Sequence, residues 1–162
     1  MDLGLMLSIL GAVLASAISG IGSAVGVAIA GSAASGLLSE EPEKFGNTLL
    51  LVALPGTQGI YGFVTGIVIL ITLGLFGGGT PKSPTIFQGL AFLGVGLFEG
   101  LVEWWSAIYQ GKVCAAGIGI VAKNPEHSMK GLINGVMVET YAVLGLLTAL
   151  LTIFFAIAPG LK

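Results

Sequence analysis

Hydrophobic residues fill most of the chain, and charged residues are confined to a few short segments. Residues 3–39 and 45–81 contain no charged side chain at all. Residues 83–122 and 131–161 are also apolar, apart from three charged positions in the first segment and one in the second. Each segment is longer than the ~20 residues that a helix needs to cross a bilayer. The pattern predicts four transmembrane helices, because a helix pairs its own backbone polar groups within lipid.

The connections between these apolar segments are short. Residues 39–44 and 123–127 are charged and contain proline, whereas 77–82 is a run of glycines followed by Thr, Pro and Lys. We therefore expect an all-α membrane protein built from two helical hairpins, residues 1–81 and 82–162. The expected helices span about residues 3–38, 45–77, 84–122 and 129–160.

The positions of the lysines predict which side of the membrane each loop faces. With four spans, the two hairpin loops face one side of the membrane, and the middle loop and both termini face the other. Lys44, Lys123 and Lys130 flank the hairpin loops, against Lys82 and Lys162 on the opposite side. The positive-inside rule predicts that the hairpin loops are cytoplasmic and that the termini lie across the cell membrane.

The two hairpins repeat each other. One constant shift along the chain aligns identical residues in both halves: Pro42 with Pro125, Glu43 with Glu126, Thr57 with Thr140, Gly62 with Gly145 and Thr65 with Thr148. The same shift aligns Glu139 with Gly56, so only the second half has a carboxylate at this position. We interpret the chain as a duplicated hairpin.

Small residues recur along the first helix of each hairpin. They are Gly11, Ala15, Gly22, Gly26 and Ala30 in one, and Ala107, Gly111, Ala115 and Gly119 in the other. Such stripes allow close contact between membrane helices. Because so glycine-rich a helix pair cannot fill its own interface, we expect oligomerisation.

Composition narrows the function classes. Charged residues make up 9% of the 162-residue chain, far below the quarter that is typical of soluble domains. The net charge is −2 and every basic residue is lysine, which argues against nucleic-acid binding. Cys114 is the only cysteine, so an intrachain disulfide is excluded.

One carboxylate lies deep within a predicted span. Glu139 lies ~21 Å along the fourth helix, counted from Pro125 at ~1.5 Å per residue. An unpaired carboxylate at that depth costs at least ~3 kcal/mol. Gln110 precedes Pro125 by nearly the same number of positions, and Gln58 follows Pro42 by nearly the same number. All three polar side chains are therefore predicted at one level below the hairpin loops.

Two hydroxyls complete this layer, since Thr57 and Tyr61 share the face of the second helix next to Gln58. Carboxylate, amide and hydroxyl oxygens suit a hard cation, and a single carboxylate favours Na⁺ or H⁺ over Ca²⁺. Pro55 distorts the helix and leaves the Leu51 carbonyl without its usual donor. Tyr61 is placed to donate its hydroxyl to the carboxylate. The alternative is an interhelical hydrogen-bond cluster that only stabilises the bundle.

Four segments resemble the duplicated four-helix proteolipid of V-type ATPases, and in particular the rotor-ring subunit of bacterial sodium-translocating enzymes. They are Leu-Pro-Gly-Thr-Gln-Gly-Ile-Tyr-Gly at 54–62, Gln-Gly-Lys-Val at 110–113, Asn-Pro-Glu at 124–126 and Val-Glu-Thr-Tyr at 138–141. The resemblance extends from about residue 16 to the end. It implies a lipid-embedded ring of identical, non-catalytic subunits that turns against a stator.

The resemblance also implies a site and partners. The implied Na⁺ ligands are the Leu54 carbonyl, Thr57, Gln58, Gln110 and Glu139, with Tyr61 hydrogen-bonded to Glu139 and Pro55 as support. A stator subunit is implied to supply a cation opposite Glu139, and a central-stalk subunit to contact the hairpin loops. The chain has no arginine, so that stator cation must belong to another protein. It also has no phosphate-binding loop motif, so ATP hydrolysis must occur on partner subunits.

Three other interpretations stay open at this point. The same rotor with H⁺ as its ion would need only the carboxylate, which leaves the amides and Thr57 unexplained. A stand-alone four-helix channel or transporter would need a polar path along its length, whereas the predicted polar atoms form one layer. A purely structural membrane subunit leaves Glu139 unexplained.

Two acids of the third helix depart from the family pattern, and one lysine of that helix lies outside the implied site. Glu99 and Glu103 share one face, ~10–17 Å from Gln110 on the side away from the hairpin loops. A second ion site is one alternative, but we expect both acids near the membrane interface or at the centre of a ring. Lys112 is rotated ~200° from Gln110 and is expected to point away from the ion site.

Overall fold

The computed structural model describes residues 2–76 and 81–161, and these ranges contain helices and no strand. Its five α-helices are α1 (Leu3–Glu40), α2 (Phe45–Ala53), α3 (Thr57–Thr72), α4 (Ile86–Lys123) and α5 (Ser128–Leu151). Short 3₁₀ turns at Pro42–Lys44, Leu54–Gly56 and Pro125–His127 precede α2, α3 and α5. A π-helical turn, Thr152–Ile157, and a last 3₁₀ turn, Ala158–Gly160, extend α5.

These elements make four helical segments that are long and apolar enough to cross a membrane. They are Leu3–Glu40, Pro42–Thr72, Ile86–Lys123 and Pro125–Gly160. The predicted all-α membrane fold with four spans is therefore confirmed. The second span differs from the other three because a 3₁₀ turn divides it into α2 and α3.

The second span also ends earlier than the expected position near residue 77. Gly74 has a positive φ of 71°. Its N–H donates to the Ile71 carbonyl (2.9 Å), and the Leu75 N–H donates to the Leu70 carbonyl (3.1 Å). This Schellman arrangement ends α3 at Thr72, although the following residues are still apolar. Residues 77–80 of the predicted glycine turn lie outside the described residues.

Close packing of α1 on α4 uses the predicted small residues of α1. A Cβ atom at Gly11 would overlap the Phe92 carbonyl oxygen, and one at Gly26 would overlap that of Ala107. The two backbones therefore touch where only glycine fits. Not every small residue of the predicted stripe on α4 packs against another helix of the chain, since a Cβ at Gly119 would meet no atom within 4 Å.

The two hairpin loops are joined side by side. The Lys44 ammonium group donates to the Ala122 carbonyl at the end of α4 (2.8 Å). The Asn47 amide donates to the Pro125 carbonyl (3.2 Å). These bonds fix the starts of the second and fourth spans at the same level, which sets the register of the polar groups below them.

Two buried apolar clusters enclose a polar band between the helices. The cluster nearer the termini contains Leu5, Ala12, Ile69, Leu73, Phe92, Ile153 and Ile157, and the cluster nearer the hairpin loops contains Ala30, Ala34, Leu51, Cys114, Ile118 and Val121. Buried polar residues of α4 between them extend from Glu99 to Gln110. Buried polar side chains therefore extend beyond the one predicted layer, since the band covers ~17 Å of the helix.

Candidate ion-binding site

The 3₁₀ turn at Leu54–Gly56 positions the first polar side chains of the site. Pro55 has no N–H to donate and is buried beside Gly26 of α1, so the backbone tightens here instead of continuing as a regular helix. The turn brings Thr57 to the start of α3, where its hydroxyl lies 2.8 Å from the Leu54 carbonyl. The carbonyl next to the polar cluster is thus that of Leu54, and not that of Leu51, which the proline argument indicated.

The Glu139 carboxylate is the centre of the cluster. Its Oε1 atom lies 2.7 Å from the Thr57 hydroxyl and accepts a hydrogen bond from the Tyr61 hydroxyl (2.6 Å). Its Oε2 atom accepts from Nε2 of Gln110 (2.7 Å) and of Gln58 (3.2 Å). The structure therefore brings together all five side chains that the sequence placed at this level.

The two glutamines also contact each other and the backbone. Nε2 of Gln58 donates to Oε1 of Gln110 (2.7 Å), and Nε2 of Gln110 donates to the Gly135 carbonyl (3.0 Å). Both glutamine side chains are fully buried. Buried amides held in this way are oriented by the helices around them, because unpaired buried polar groups are costly.

Ser106 is a further neighbour that sequence reasoning missed. Its hydroxyl lies 3.4 Å from Nε2 of Gln58 and 3.5 Å from the Val138 carbonyl. It precedes Gln110 by four residues, so it lies on the same face of α4. The four-residue spacing between Ser106 and Gln110 could have indicated this neighbour from the sequence.

Glu139 is half-buried, whereas the amides behind it have no exposure, so the carboxylate is the more accessible part of the cluster. No lysine of the described residues neutralises it. Lys44 pairs with Glu41 (2.6 Å). Lys112 is exposed and lies over the Tyr109 ring (4.8 Å to its centroid), pointing away from the site as predicted.

Glu99 and Glu103 lie elsewhere than expected. Their side chains are only 2% and 0% exposed, so they are buried within the subunit instead of lying at the membrane interface or a ring centre. Their face of α4 packs against α3 and α5, where Thr65 and Gly145 are neighbours. The expectation for these two acids is therefore wrong.

Four apolar spans and a carboxylate enclosed by oxygen-bearing side chains define a membrane protein with an internal polar cluster centred on one acid. The chain belongs to the family of the ATP synthase C subunit, whose profile matches it twice, at residues 10–69 and 93–152. The second match follows the first by the same shift that aligns Pro42 with Pro125, so the predicted repeat is confirmed.

Individual relatives agree with this assignment. The chain is 47% identical over 153 residues to the K subunit of the V-type sodium ATPase of Enterococcus hirae, covering 94% of each protein. It is 40% identical over 147 residues to the K subunit of the A-type ATP synthase of Methanocaldococcus jannaschii, covering 91% of this chain but 61% of that relative. It is 27% identical over 144 residues to the 16 kDa proteolipid of the V-type proton ATPase of Nephrops norvegicus, covering 88% of this chain and 86% of the relative.

Proposed function

We propose that this protein is an ion-translocating rotor subunit in the membrane sector of a V-type ATPase, and that it carries Na⁺ on Glu139. The observation that carries the proposal is the enclosure of this one carboxylate by two amides and two hydroxyls from two other spans. The extensive identity to the sodium ATPase subunit supports Na⁺ as the ion. The subunit is not catalytic alone.

The proposed Na⁺ ligands are oxygens of four side chains and one carbonyl, with Tyr61 orienting the carboxylate. They are the Leu54 carbonyl, Thr57, Gln58, Gln110 and Glu139. In the described arrangement, Nε2 of Gln58 lies between acceptor oxygens of Gln110 and Glu139. A half-turn of the Gln58 amide exchanges this nitrogen for its oxygen, because the two amide atoms occupy nearly equivalent positions. Three acceptor oxygens then face one another, an arrangement that a cation stabilises.

Charge cancellation gives this cluster its transport role. A bare carboxylate exposed to lipid is costly, whereas Na⁺ bound to Glu139 makes the site neutral and able to face lipid. At a stator, a cation from another subunit replaces Na⁺ beside the carboxylate. Moving one charge across a membrane potential of 100 mV requires ~2.3 kcal/mol. ATP hydrolysis on partner subunits supplies this energy through rotation of the ring.

The same proposal includes how the subunit is assembled and which partners it contacts. Residues 1–81 and 82–162 form the two hairpins of one subunit, and identical subunits assemble into a lipid-embedded ring. The joined hairpin loops face the cytoplasm and contact a central-stalk subunit. A stand-alone channel is not favoured, because buried apolar clusters close the polar band at both ends.

The test is labelling of the assembled protein by a hydrophobic carbodiimide, with the modified residue located by peptide mass spectrometry. The reagent attacks protonated carboxyl groups, so bound Na⁺ at Glu139 is expected to prevent the reaction. We expect labelling of Glu139 at fixed pH to fall as Na⁺ is raised to millimolar concentration. K⁺ at matched ionic strength is the control.

Mapping the label matters because Glu99 and Glu103 are further buried carboxyls. The Glu139→Gln variant should lose the Na⁺-sensitive label at position 139 and keep any label on those residues. Labelling of Glu139 that changes with pH but not with Na⁺ would replace Na⁺ by H⁺ as the carried ion. Absence of label from Glu139 under every condition would contradict the proposed site.

A further inference from the structure

A second group of acidic side chains lies inside the subunit, away from the Glu139 cluster. Glu99 and Glu103 are one turn apart on α4, and Glu103 lies two turns, ~10 Å, from Gln110. Oε1 of Glu99 and both carboxyl oxygens of Glu103 are buried without a hydrogen-bond partner among the described residues. Buried oxygens of this kind are costly unless a proton or a cation occupies the space between them.

Thr65 adds an independent observation. Its side chain is 0% exposed, it lies beside the Glu99 carboxyl, and in the described part of the chain its hydroxyl does not donate to a backbone carbonyl. Threonines in membrane helices commonly donate to the carbonyl one turn earlier. Thr148, which the repeat aligns with Thr65, does so to Leu144 (2.8 Å). The Thr65 hydroxyl is free to turn toward the acids.

We propose that Glu99, Glu103 and Thr65 bind a second Na⁺ within each subunit, with one proton shared between the two carboxyl groups. The three side chains offer at most five oxygens, fewer than the six to eight that Ca²⁺ takes. One Na⁺ and one proton balance two carboxylates, and no lysine in the described ranges forms an ion pair with either acid. This site is distinct from Glu139 and does not depend on the function proposed above.

The second site has a route to the outside of the subunit. Oε2 of Glu99 faces Gly145 of α5, where an added Cβ would lie only 3.2 Å from it. Glu99 and Gly145 line a groove of about 600 Å³ between α4 and α5, together with Tyr141 and Thr148. Because Gly145 has no side chain, the groove reaches the carboxyl group. The groove therefore connects the second site with the outside of the subunit separately from the Glu139 cluster.

The experiment counts radiolabelled Na⁺ bound per subunit in the purified, assembled protein. We expect two Na⁺ per subunit in the unmodified protein at saturation. The Glu139→Gln variant should keep one, and the Glu99→Gln/Glu103→Gln double variant should also keep one. Glutamine is close in size to glutamate and uncharged, so the double variant preserves packing while removing the carboxylates.

The outcomes separate this inference from the function proposed for Glu139. If the unmodified protein binds one Na⁺ per subunit and the Glu139→Gln variant binds none, the second site is overturned. The rotor proposal then stands. Two Na⁺ that both persist in Glu139→Gln would instead contradict the role of Glu139.

Thr65→Val tests the second site with a smaller change in the protein. Loss of the hydroxyl is expected to weaken the second Na⁺ about tenfold or more, without changing the first. Thr72→Val is the matched control, because that hydroxyl on the same helix donates to the Val68 carbonyl. Equal Na⁺ affinities in the Thr65 and Thr72 variants would overturn the proposal.

Discussion

The two halves of the chain have the same plan and supply different atoms to the Glu139 cluster. Thr57 and Thr140 occupy equivalent positions, and each hydroxyl lies within hydrogen-bond distance of the carbonyl three residues earlier, at 2.8 and 2.7 Å. The residue before each threonine differs, since Gly56 precedes Thr57 and Glu139 precedes Thr140. The carboxylate is therefore a feature of the second half alone.

The difference extends to the neighbouring helix. The repeat aligns Val27 with Gln110, and Gly56 faces Val27 as Glu139 faces Gln110. The first half thus has an apolar pair where the second half has an amide and a carboxylate. The first half instead contributes Thr57 and its neighbours, which the 3₁₀ turn of that half places next to the second half. Duplication with divergence leaves a carboxylate at this position in only one of the two hairpins.

Moving the carboxylate to the other half gives the largest expected effect. In the Gly56→Glu/Glu139→Gly variant, the acid faces Val27 and lacks the amide and hydroxyl donors that surround Glu139. We expect complete loss of Na⁺-protected carbodiimide labelling at both exchanged positions. Gly56→Ala is the control, because a Cβ at this position makes only an ordinary contact of 3.7 Å with Val27. Na⁺-protected labelling in the exchanged variant would show that the two halves are interchangeable.

Making the second half resemble the first at Gln110 is expected to have the next largest effect. Gln110→Val removes a proposed Na⁺ ligand, one of the acceptors of the Gln58 amide and the side-chain donor to the Gly135 carbonyl. Na⁺ affinity, measured by equilibrium binding, should fall about 100-fold. Gln88→Val is the control, since that amide lies at the start of α4 near Gly160. An unchanged affinity would remove Gln110 from the ligand set.

Much of the Glu139 cluster was predictable because membrane helices have a constant rise. Counting residues from the hairpin-loop prolines was sufficient to place Gln58, Gln110 and Glu139 at one level. The resemblance then identified the Leu54 carbonyl, which the argument from Pro55 missed because it assumed a regular helix. The 3₁₀ turn changes which carbonyl lies next to the polar side chains.

The burial of Glu99 and Glu103 was not predictable in the same way. Sequence spacing shows that the two acids share a face of α4, but it does not show which helix covers that face. The cost of burying carboxylates favoured an exposed position. Only the packing of α3 and α5 reveals the enclosed site beside Thr65. The early end of α3 was missed for a related reason, since hydropathy does not register the conformation of Gly74.

The equivalent threonines allow a matched test of the comparison. Thr57→Val and Thr140→Val each remove a hydroxyl that lies beside the carbonyl three residues earlier, but only Thr57 also contacts Glu139. We expect Thr57→Val to weaken Na⁺ binding about tenfold, which corresponds to ~1.4 kcal/mol. Thr140→Val should bind Na⁺ as the unmodified protein does. Equal losses in the two variants would mean that the hydroxyl acts through the helix backbone.

The smallest effect is expected at Tyr61, where the repeat aligns Leu144 in the second half. Its hydroxyl donates to Glu139 (2.6 Å) and orients the carboxylate without belonging to the proposed ligands. Tyr61→Phe removes this one hydrogen bond, worth ~1 kcal/mol, so Na⁺ affinity should fall about fivefold. Tyr141→Phe, on the exposed side of α5, is the control and should show no change. A loss as large as that of Gln110→Val would instead indicate that the Tyr61 hydroxyl contacts the ion.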